Sequence, residues 1–274
     1  MNQSIQHLIQ QLIDERQHFA VATVVGNHGS VSAKTGSKAV INSNGKLIFG
    51  WIGGGCAESE TCFQATQALA EQATRVFDID LDDEMLGAGM PCGGAMTVYV
   101  EPYIPCPTLW LIGHGEIVKG LSKLGKFVGL DVVINDTTAS FEQYPDATTI
   151  INDDLDYRQL QPSQEDFVVI ATQHKGDHLS MTQALHSGAK YIALIASQKR
   201  AKLVLEYLHD VSPEELKNSH ISTPAGVNIG AQTPQEIALS VIAEVVMHRR
   251  GATGNLMKID EQQYIAPQLN NADT

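Results

Sequence analysis

A chain of 274 residues that is 43% hydrophobic, 6% aromatic and 18% charged has room for one large or two modest domains and the make-up of a folded globular protein. A net charge of −13 without a clustered block of Lys and Arg argues against sequence-independent nucleic-acid binding, since neutralising phosphates requires such clusters. Four cysteines, Cys56, Cys62, Cys92 and Cys106, have no paired CxxC spacing and are too few for a disulfide-stapled scaffold, which points to a reducing compartment.

The opening MNQSIQHLIQQLIDERQ lacks the basic start and continuous apolar run of a signal peptide, and its Ile5, Leu8, Ile9, Leu12 and Ile13 follow helical periodicity instead. No later stretch reaches the roughly 20 consecutive apolar residues of a membrane span. The expectation is a cytoplasmic protein with no membrane span and no nucleic-acid partner. After the first helix, FAVATVVG, KAVIN and KLIFGWI read as strands, with a hairpin turn at Asn44-Gly45. A helix follows from Cys56 to about Ala73, then strands in TRVFDIDL and AMTVYVEP with the glycine-rich LGAGMPCGG between them. Residues 1–104 are thus expected to form a small mixed α+β N-terminal domain. EPYIPCPT, with Pro102, Pro105 and Pro107, interrupts any regular element, so a linker is placed near Ile104.

Beyond it the pattern alternates. TLWLIGHGEIVKGLSKLGKFVG reads as strand, glycine turn and helix, LDVVIND as the next strand, and DFVVIAT and YIALIAS as continuous apolar runs each followed by a helical stretch. Continuous apolar strands separated by helices are what a parallel sheet covered on both faces requires, so residues 105–251 are expected to form a Rossmann-like doubly wound domain. In TTASFEQYPDAT the crossover helix would have to be very short. The last helix opens at Thr233 as N-cap with Glu236 three residues on and Pro234 in first position, buries Ile237, Val241, Ile242 and Val245, and ends at Gly251. Residues 252–274 read as a polar tail.

Several stretches could carry chemistry. In FGWIGGGCAESE, Cys56 stands at a helix mouth where positive helix-end potential favours a thiolate, and the glycines before it leave it open. Turn and ligand readings are equally open there. Cys92, in MPCGGAM, has the same small-residue setting, and both thiols are candidates for a soft metal or sulfur. Cys62 falls inside the helix and Cys106 in the linker, which favours structural roles. The loop GSVSAKTGSKAVI gathers Ser30, Ser32, Lys34, Thr35 and Ser37, a composition suited to an anion or to an ordinary polar loop. Gly113 and Gly115, between a strand and a helix, suit a phosphate at a helix N-terminus, and Asp136 follows at the spacing of a ribose-binding acid. The third glycine of GxGxxG is replaced by Val118, which leaves a nucleotide ligand and a merely structural turn both standing. Thr172, His174 and Asp177 lie beyond a strand end, where they face a ligand crevice, unless Asp177 is only an N-cap and His174 only solvated. Ser197 caps a helix beside Lys199 and Arg200 and offers a hydroxyl to a phosphate.

Four ordered blocks, TVVGNHGSVSAKTGSKAVINSNGKLIFGWIGGGCAE, PCGGAMTVYVEP, LWLIGHGEIVKGL and PAGVNIGAQTPQEIALSVIAEVV, make the chain resemble the XdhC/CoxI group, accessory proteins of molybdenum hydroxylases such as xanthine dehydrogenase. The resemblance covers about Ala20 to Gly251. It implies a cofactor chaperone, not an enzyme with its own turnover, that binds the molybdenum cofactor in its mono- or dinucleotide form, protects it, supports its sulfuration and delivers it. It carries Gly54, Gly55, Cys56, Glu58, Cys92, Gly93 and Gly94 over as cofactor-binding residues, with Cys56 a candidate ligand of the molybdenum. The implied partners are an apo molybdenum hydroxylase and a cysteine desulfurase, and a homodimer is compatible with it. Where many members have a histidine directly after the threonine, this chain has Gln173, and Ala196 and Gln198 replace an expected glycine and arginine. An NAD(P)-dependent oxidoreductase and a nucleotide-sensing regulatory module are the alternatives.

Overall fold

The computed structural model describes residues 4–80, 94–172, 176–189 and 191–257. The chain divides into two compact units, Met1–Pro105 and Cys106–Thr274.

The N-terminal unit holds α1 (Ile5–Asp14), β1 (Phe19–Gly29), β2 (Lys38–Asn42), β3 (Leu47–Gly50), α2 (Gly55–Glu71), β4 (Arg75–Asp80) and β5 (Gly94–Tyr103). Its strands form one antiparallel sheet in the order β3-β2-β1-β5-β4. Successive side chains on a strand point to opposite faces, so β1 divides its apolar residues between two cores. Ala20, Ala22 and Val24 face α2 with Ile52, Ala57, Ala65 and Val98. Phe19 and Val21 face α1 instead, meeting its Ile5, Leu8, Ile9 and Leu12. The small residues on the buried face of α2, Ala57, Thr61, Ala65 and Ala68, let that helix lie close to the sheet. The turn at Asn44-Gly45 closes the β2–β3 hairpin, with Gly45 at φ 73°.

The C-terminal unit holds β6 (Thr108–Gly113), α3 (Glu116–Phe127), β7 (Asp131–Asn135), β8 (Thr149–Ile151), β9 (Phe167–Ala171), α4 (Asp177–His186), β10 (Tyr191–Leu194), α5 (Gln198–Val211), α6 (Pro213–Asn218), β11 (His220–Ser222) and α7 (Pro234–Arg250). All six strands are parallel, in the order β11-β10-β9-β6-β7-β8. This is the doubly wound sheet expected from its continuous apolar strands, and its order reverses between β6 and β9, where such sheets open their ligand crevice. Leu109, Leu111, Val132, Ile134 and Val169 face α3 and α7, while Ile112, Val168, Ile170, Ile192 and Leu194 face α4 and α5. Close approach of α3 is provided by Gly125, where a Cβ would come within 2.7 Å of Leu109, and by Gly120, where one would come within 2.7 Å of Ala238 on α7. These positions do the packing that the third glycine of a standard fingerprint would do.

Several expectations need correction. The crossover between β7 and β8 contains only turns, stabilised by bonds such as Tyr144 N–H to Ser140 O at 3.0 Å. Ile237 is half-buried, and Ala238 joins Val241, Ile242 and Val245 in the stripe of α7. Asp177 is the first residue of α4; the N-cap is Gly176, without a side-chain cap. The short edge strands β8 and β11 and the helix α6 carry too few residues for a periodic signal. The polar tail reading for residues beyond Met257 lies outside the described residues.

No helix covers the segment between β8 and β9; a carboxylate organises it. Asp154 is buried and accepts from the backbone N–H of Arg158 at 2.9 Å and of Gln159 at 2.7 Å, and from Asn135 Nδ2 at 3.3 Å. Burial pushes its carboxyl upward, but these donors more than offset that and hold it below the usual 3.8. A depressed folded-state pKa gives a stabilisation that is whole above the unfolded value and is lost as pH falls through the folded one. Asp154→Asn should therefore cost about 1 kcal/mol near neutrality. In thermal melts from pH 7 down to pH 2.5, the gap between the two proteins should close only below about pH 4. A gap that stays constant across that range would refute the assignment.

Candidate functional site

In the N-terminal unit the chain leaves β3 through Gly53, Gly54 and Gly55, with φ of 106°, 70° and 53°, a run of left-handed backbone that only glycine adopts at low cost. That run delivers the chain into α2 with Gly54 as an N-cap that carries no side-chain hydrogen bond. Cys56 and Glu58 lie in the first turn and are partly exposed. The polar loop that follows β1 meets this turn directly, as Ser32 Oγ donates to Gly53 O at 2.9 Å. A Cβ at Gly53 would touch Ala57, Ser32 and Ala33 at 3.5–3.6 Å, whereas one at Gly55 would meet nothing within 4 Å. Among the described residues the turn is thus packed on one side and open on the other. Gly94 pairs with Gly29, and a Cβ there would fall 2.5 Å from His28 O and 2.9 Å from Ser30 N. Two separate candidates in the sequence, the polar loop and the GGGC element, are therefore one place in the fold, with Gly94 beside the loop's start. Cys92 and Gly93 lie outside the described residues. Cys62 belongs to a different environment: burial, followed by the nearby Glu58 carboxylate, pushes its thiol pKa upward, in keeping with a structural role.

The C-terminal unit carries a crevice of about 700 Å³ over the ends of β6, β9 and β10, lined by His114, Ala171, Ile195, Ser197, Arg200 and Ile237 among others. The helices α3, α5 and α7 all begin on it, through Glu116 and Ile117, Ser197, and Pro234. Ser197 caps α5 as expected, its Oγ accepting from Arg200 N–H. Asp177 is 4% exposed, hydrogen-bonded by Thr172 Oγ1 and ion-paired with Arg200 Nη2. The structure thus joins buried Thr172 and Asp177 to Arg200, which lines the crevice; His174 lies outside the described residues. The segment before α7 is held by that helix, since Glu244 accepts from Gly226 N–H at 2.6 Å and Ser240 Oγ donates to Val227 O at 2.7 Å.

Gly113 and Gly115 have other partners than a phosphate. At Gly113, φ is 116° and a Cβ would stand 2.4 Å from Ala171 O, so glycine is required by the end of β9. The Gly115 N–H donates to Tyr144 OH at 3.1 Å, a partner in an irregular segment that no sequence pattern marks. Asp136 is also engaged: Oδ1 accepts from Thr138 N–H at 2.8 Å and Oγ1 at 2.6 Å, and Oδ2 lies 2.8 Å from His114 Nδ1. Burial raises this carboxyl, but the Thr138 and His114 hydrogen bonds outweigh it and the pKa lies below its usual value.

A model of the XdhC Rossmann domain matches residues 109–245, and a model of the XdhC and CoxI family matches residues 12–80. The chain belongs to the XdhC and CoxI family. The second match contains the 30–37 loop and Gly54, Gly55, Cys56 and Glu58; the first contains the crevice from His114 to Ile237. YqeB of Escherichia coli K12 is 29% identical over 256 residues, 90% of this chain and 46% of that protein, so the chain spans less than half of YqeB. A probable xanthine dehydrogenase subunit of Bacillus subtilis 168 is 24% identical over 89% of this chain and 97% of its own. The molybdenum cofactor insertion chaperone PaoD of Escherichia coli K12 is 19% identical over 84% and 83%. A crystal structure of a xanthine dehydrogenase from Bacillus halodurans superposes with a TM-score of 0.48 at 22% identity, over 90% of this chain and 96% of that one. Among the described residues no helix is long and apolar enough to cross a membrane.

Proposed function

We propose that this chain binds the molybdenum cofactor at the GGGC turn of its N-terminal unit and supports the protection, sulfuration and insertion of that cofactor into an apo molybdenum hydroxylase of the xanthine-dehydrogenase type. The observation that carries this reading is the meeting of the Gly53–Gly55 turn, Cys56 and the polar 30–37 loop in one place within the family match. The names of two relatives, a molybdenum cofactor insertion chaperone and a probable xanthine dehydrogenase subunit, support it. The reading includes a cysteine desulfurase as sulfur donor, a cytoplasmic setting and a homodimer.

The residues present fit such a cofactor. A molybdopterin brings its metal already chelated by a dithiolene and carries a phosphate at its other end. No group of three or more His, Cys, Asp or Glu able to hold a metal ion occurs among the described residues. A single soft thiol beside a pre-chelated metal needs no such cage. In this reading Cys56 stands at the metal end, Gly54 and Gly55 let the backbone approach, and the uncapped first turn of α2 with Lys34 of the loop meets negative charge. Cys92, Gly93 and Gly94 are assigned to the same site. When bound, the cofactor supplies the oxo and sulfido chemistry that the hydroxylase uses. A dinucleotide-dependent oxidoreductase is not favoured, because Asp136 and the Gly115 amide are committed to His114, Thr138 and Tyr144.

The test is anaerobic molybdopterin retention and activation of the apo-hydroxylase, compared for wild type, Cys56→Ala and Cys92→Ala. Cys56→Ala should lower retention by about tenfold while leaving the melting temperature unchanged. Wild-type protein that neither retains the cofactor nor activates the hydroxylase would overturn the reading. Equal retention by Cys56→Ala would remove Cys56 from it.

A further inference from the structure

The crevice of the C-terminal unit has a composition that the cofactor reading does not use. Its volume, about 700 Å³, lies within the span of small-molecule sites, about 300–1,000 Å³. Ile117, Ile195, Pro234 and Ile237 give it apolar walls suited to a flat ring system. Ser197 and Arg200 are polar groups on the same wall, and the 18%-exposed guanidinium is held in place by Asp177. A guanidinium has five N–H donors in a rigid fork, so contact with Asp177 through Nη2 leaves its geometry compatible with a phosphate as well. Helices α3, α5 and α7, of 12, 14 and 17 residues, add the positive ends of their dipoles on the same space.

The polar groups of the other half of a Rossmann crevice are engaged within the protein. Asp136, at the position that would take a ribose hydroxyl, is not on the crevice wall, and both of its oxygens are engaged by Thr138 and His114. The Gly115 N–H, placed where a pyrophosphate would sit, is spent on Tyr144. His114 belongs to both features: it lines the crevice and holds Asp136.

We propose that the C-terminal unit binds a heteroaromatic ring carrying one phosphate monoester in the crevice over β6, β9 and β10, that Arg200 is its phosphate partner, and that the His114–Asp136 pair excludes pyrophosphate-linked dinucleotides. The ring can come from a nucleoside 5′-monophosphate or from a pterin phosphate, and the two are separated by titration. The inference is independent of the GGGC site, and none of its probes contains molybdenum, so either reading can fail without the other.

Calorimetric titration of the full chain with AMP, GMP, CMP, a pterin phosphate ester, inorganic phosphate, NAD+ and ADP-ribose tests it. At least one ring-bearing monophosphate should bind about tenfold or more tightly than inorganic phosphate, and about tenfold or more tightly than NAD+ and ADP-ribose. The tightest arm identifies the ring. Arg200→Gln should weaken that ligand by about tenfold or more. Because this variant leaves Asp177 buried without its cation, the double variant Asp177→Asn/Arg200→Gln, which has no buried charge, must show the same loss. His114→Ala releases Asp136 and should raise affinity for ADP-ribose relative to wild type. NAD+ binding as tightly as every monophosphate, unchanged ligand affinity in the double variant, or no monophosphate binding at millimolar concentration would each overturn the proposal. If neither arginine variant folds, a His114→Ala protein with unaltered ADP-ribose affinity overturns the exclusion by itself.

Discussion

Gly113→Ala should lower the stability of the C-terminal unit by about 3 kcal/mol, through two penalties that add. The backbone at Gly113 has φ of 116°, where an L side chain costs about 1–2 kcal/mol. The new Cβ would also stand 2.4 Å from Ala171 O and 2.7 Å from its carbonyl carbon. These are backbone atoms of a central strand, so no rotamer change relieves the overlap, and overpacking of this kind costs about 1–3 kcal/mol. Gly129→Ala is the control, since φ is 77° there but no atom lies within 4 Å of its Cβ position. It should lose only the conformational part, about 1 kcal/mol. The chain has two tryptophans, Trp51 in the N-terminal unit and Trp110 in the C-terminal unit, so urea unfolding followed by Trp110 emission in a Trp51→Phe background reports the right unit. Equal losses for the two alanine variants would show that the approach of β6 to β9 is not what requires glycine.

Arg200→Gln is expected to cost about 3 kcal/mol, because it strands a carboxylate that is 4% exposed with only a hydroxyl for company. The pair itself need not be strongly stabilising, as desolvation of both ions opposes their attraction. The cost arises from leaving one charge uncompensated. Removing that charge as well, in Asp177→Asn/Arg200→Gln, should recover at least half of the loss. A double-mutant cycle in urea then gives a coupling energy of about 1.5 kcal/mol or more. Additive losses would mean that the two groups act separately and that the crevice wall is not organised by their pairing.

Much of the fold was legible because its signals are local. Four continuous apolar strands, each long enough to show burial on both faces, reveal a parallel sheet, and Thr233, Pro234 and Glu236 mark the start of α7 within a span of four residues, where both halves of the capping box form. The edge strands β8 and β11 have three residues each, too short for any period to declare itself. For Asp177 the crevice and N-cap readings both stood by sequence, because Asp is a common N-cap; in the fold Gly176 takes the cap position and Asp177 is buried beside Arg200 and Thr172. Gly113 stood out by sequence with approach of a phosphate and a structural turn both open, and the fold supplies a structural requirement, close approach of the Ala171 carbonyl.

By itself the sequence determined the two classes of architecture, the family resemblance and the individual residues worth attention, among them Gly54, Cys56, Asp136 and Ser197. Only the tertiary structure decided which of them meet. Ser32 joins the GGGC turn across 21 positions of chain, Tyr144 reaches Gly115 across 29, and Arg200 reaches Asp177 from another helix. Propensity, capping and periodicity act over a few residues and are therefore written in short stretches of sequence. Pairing of charges and occupation of an amide depend on distances that exist only once the sheet has closed.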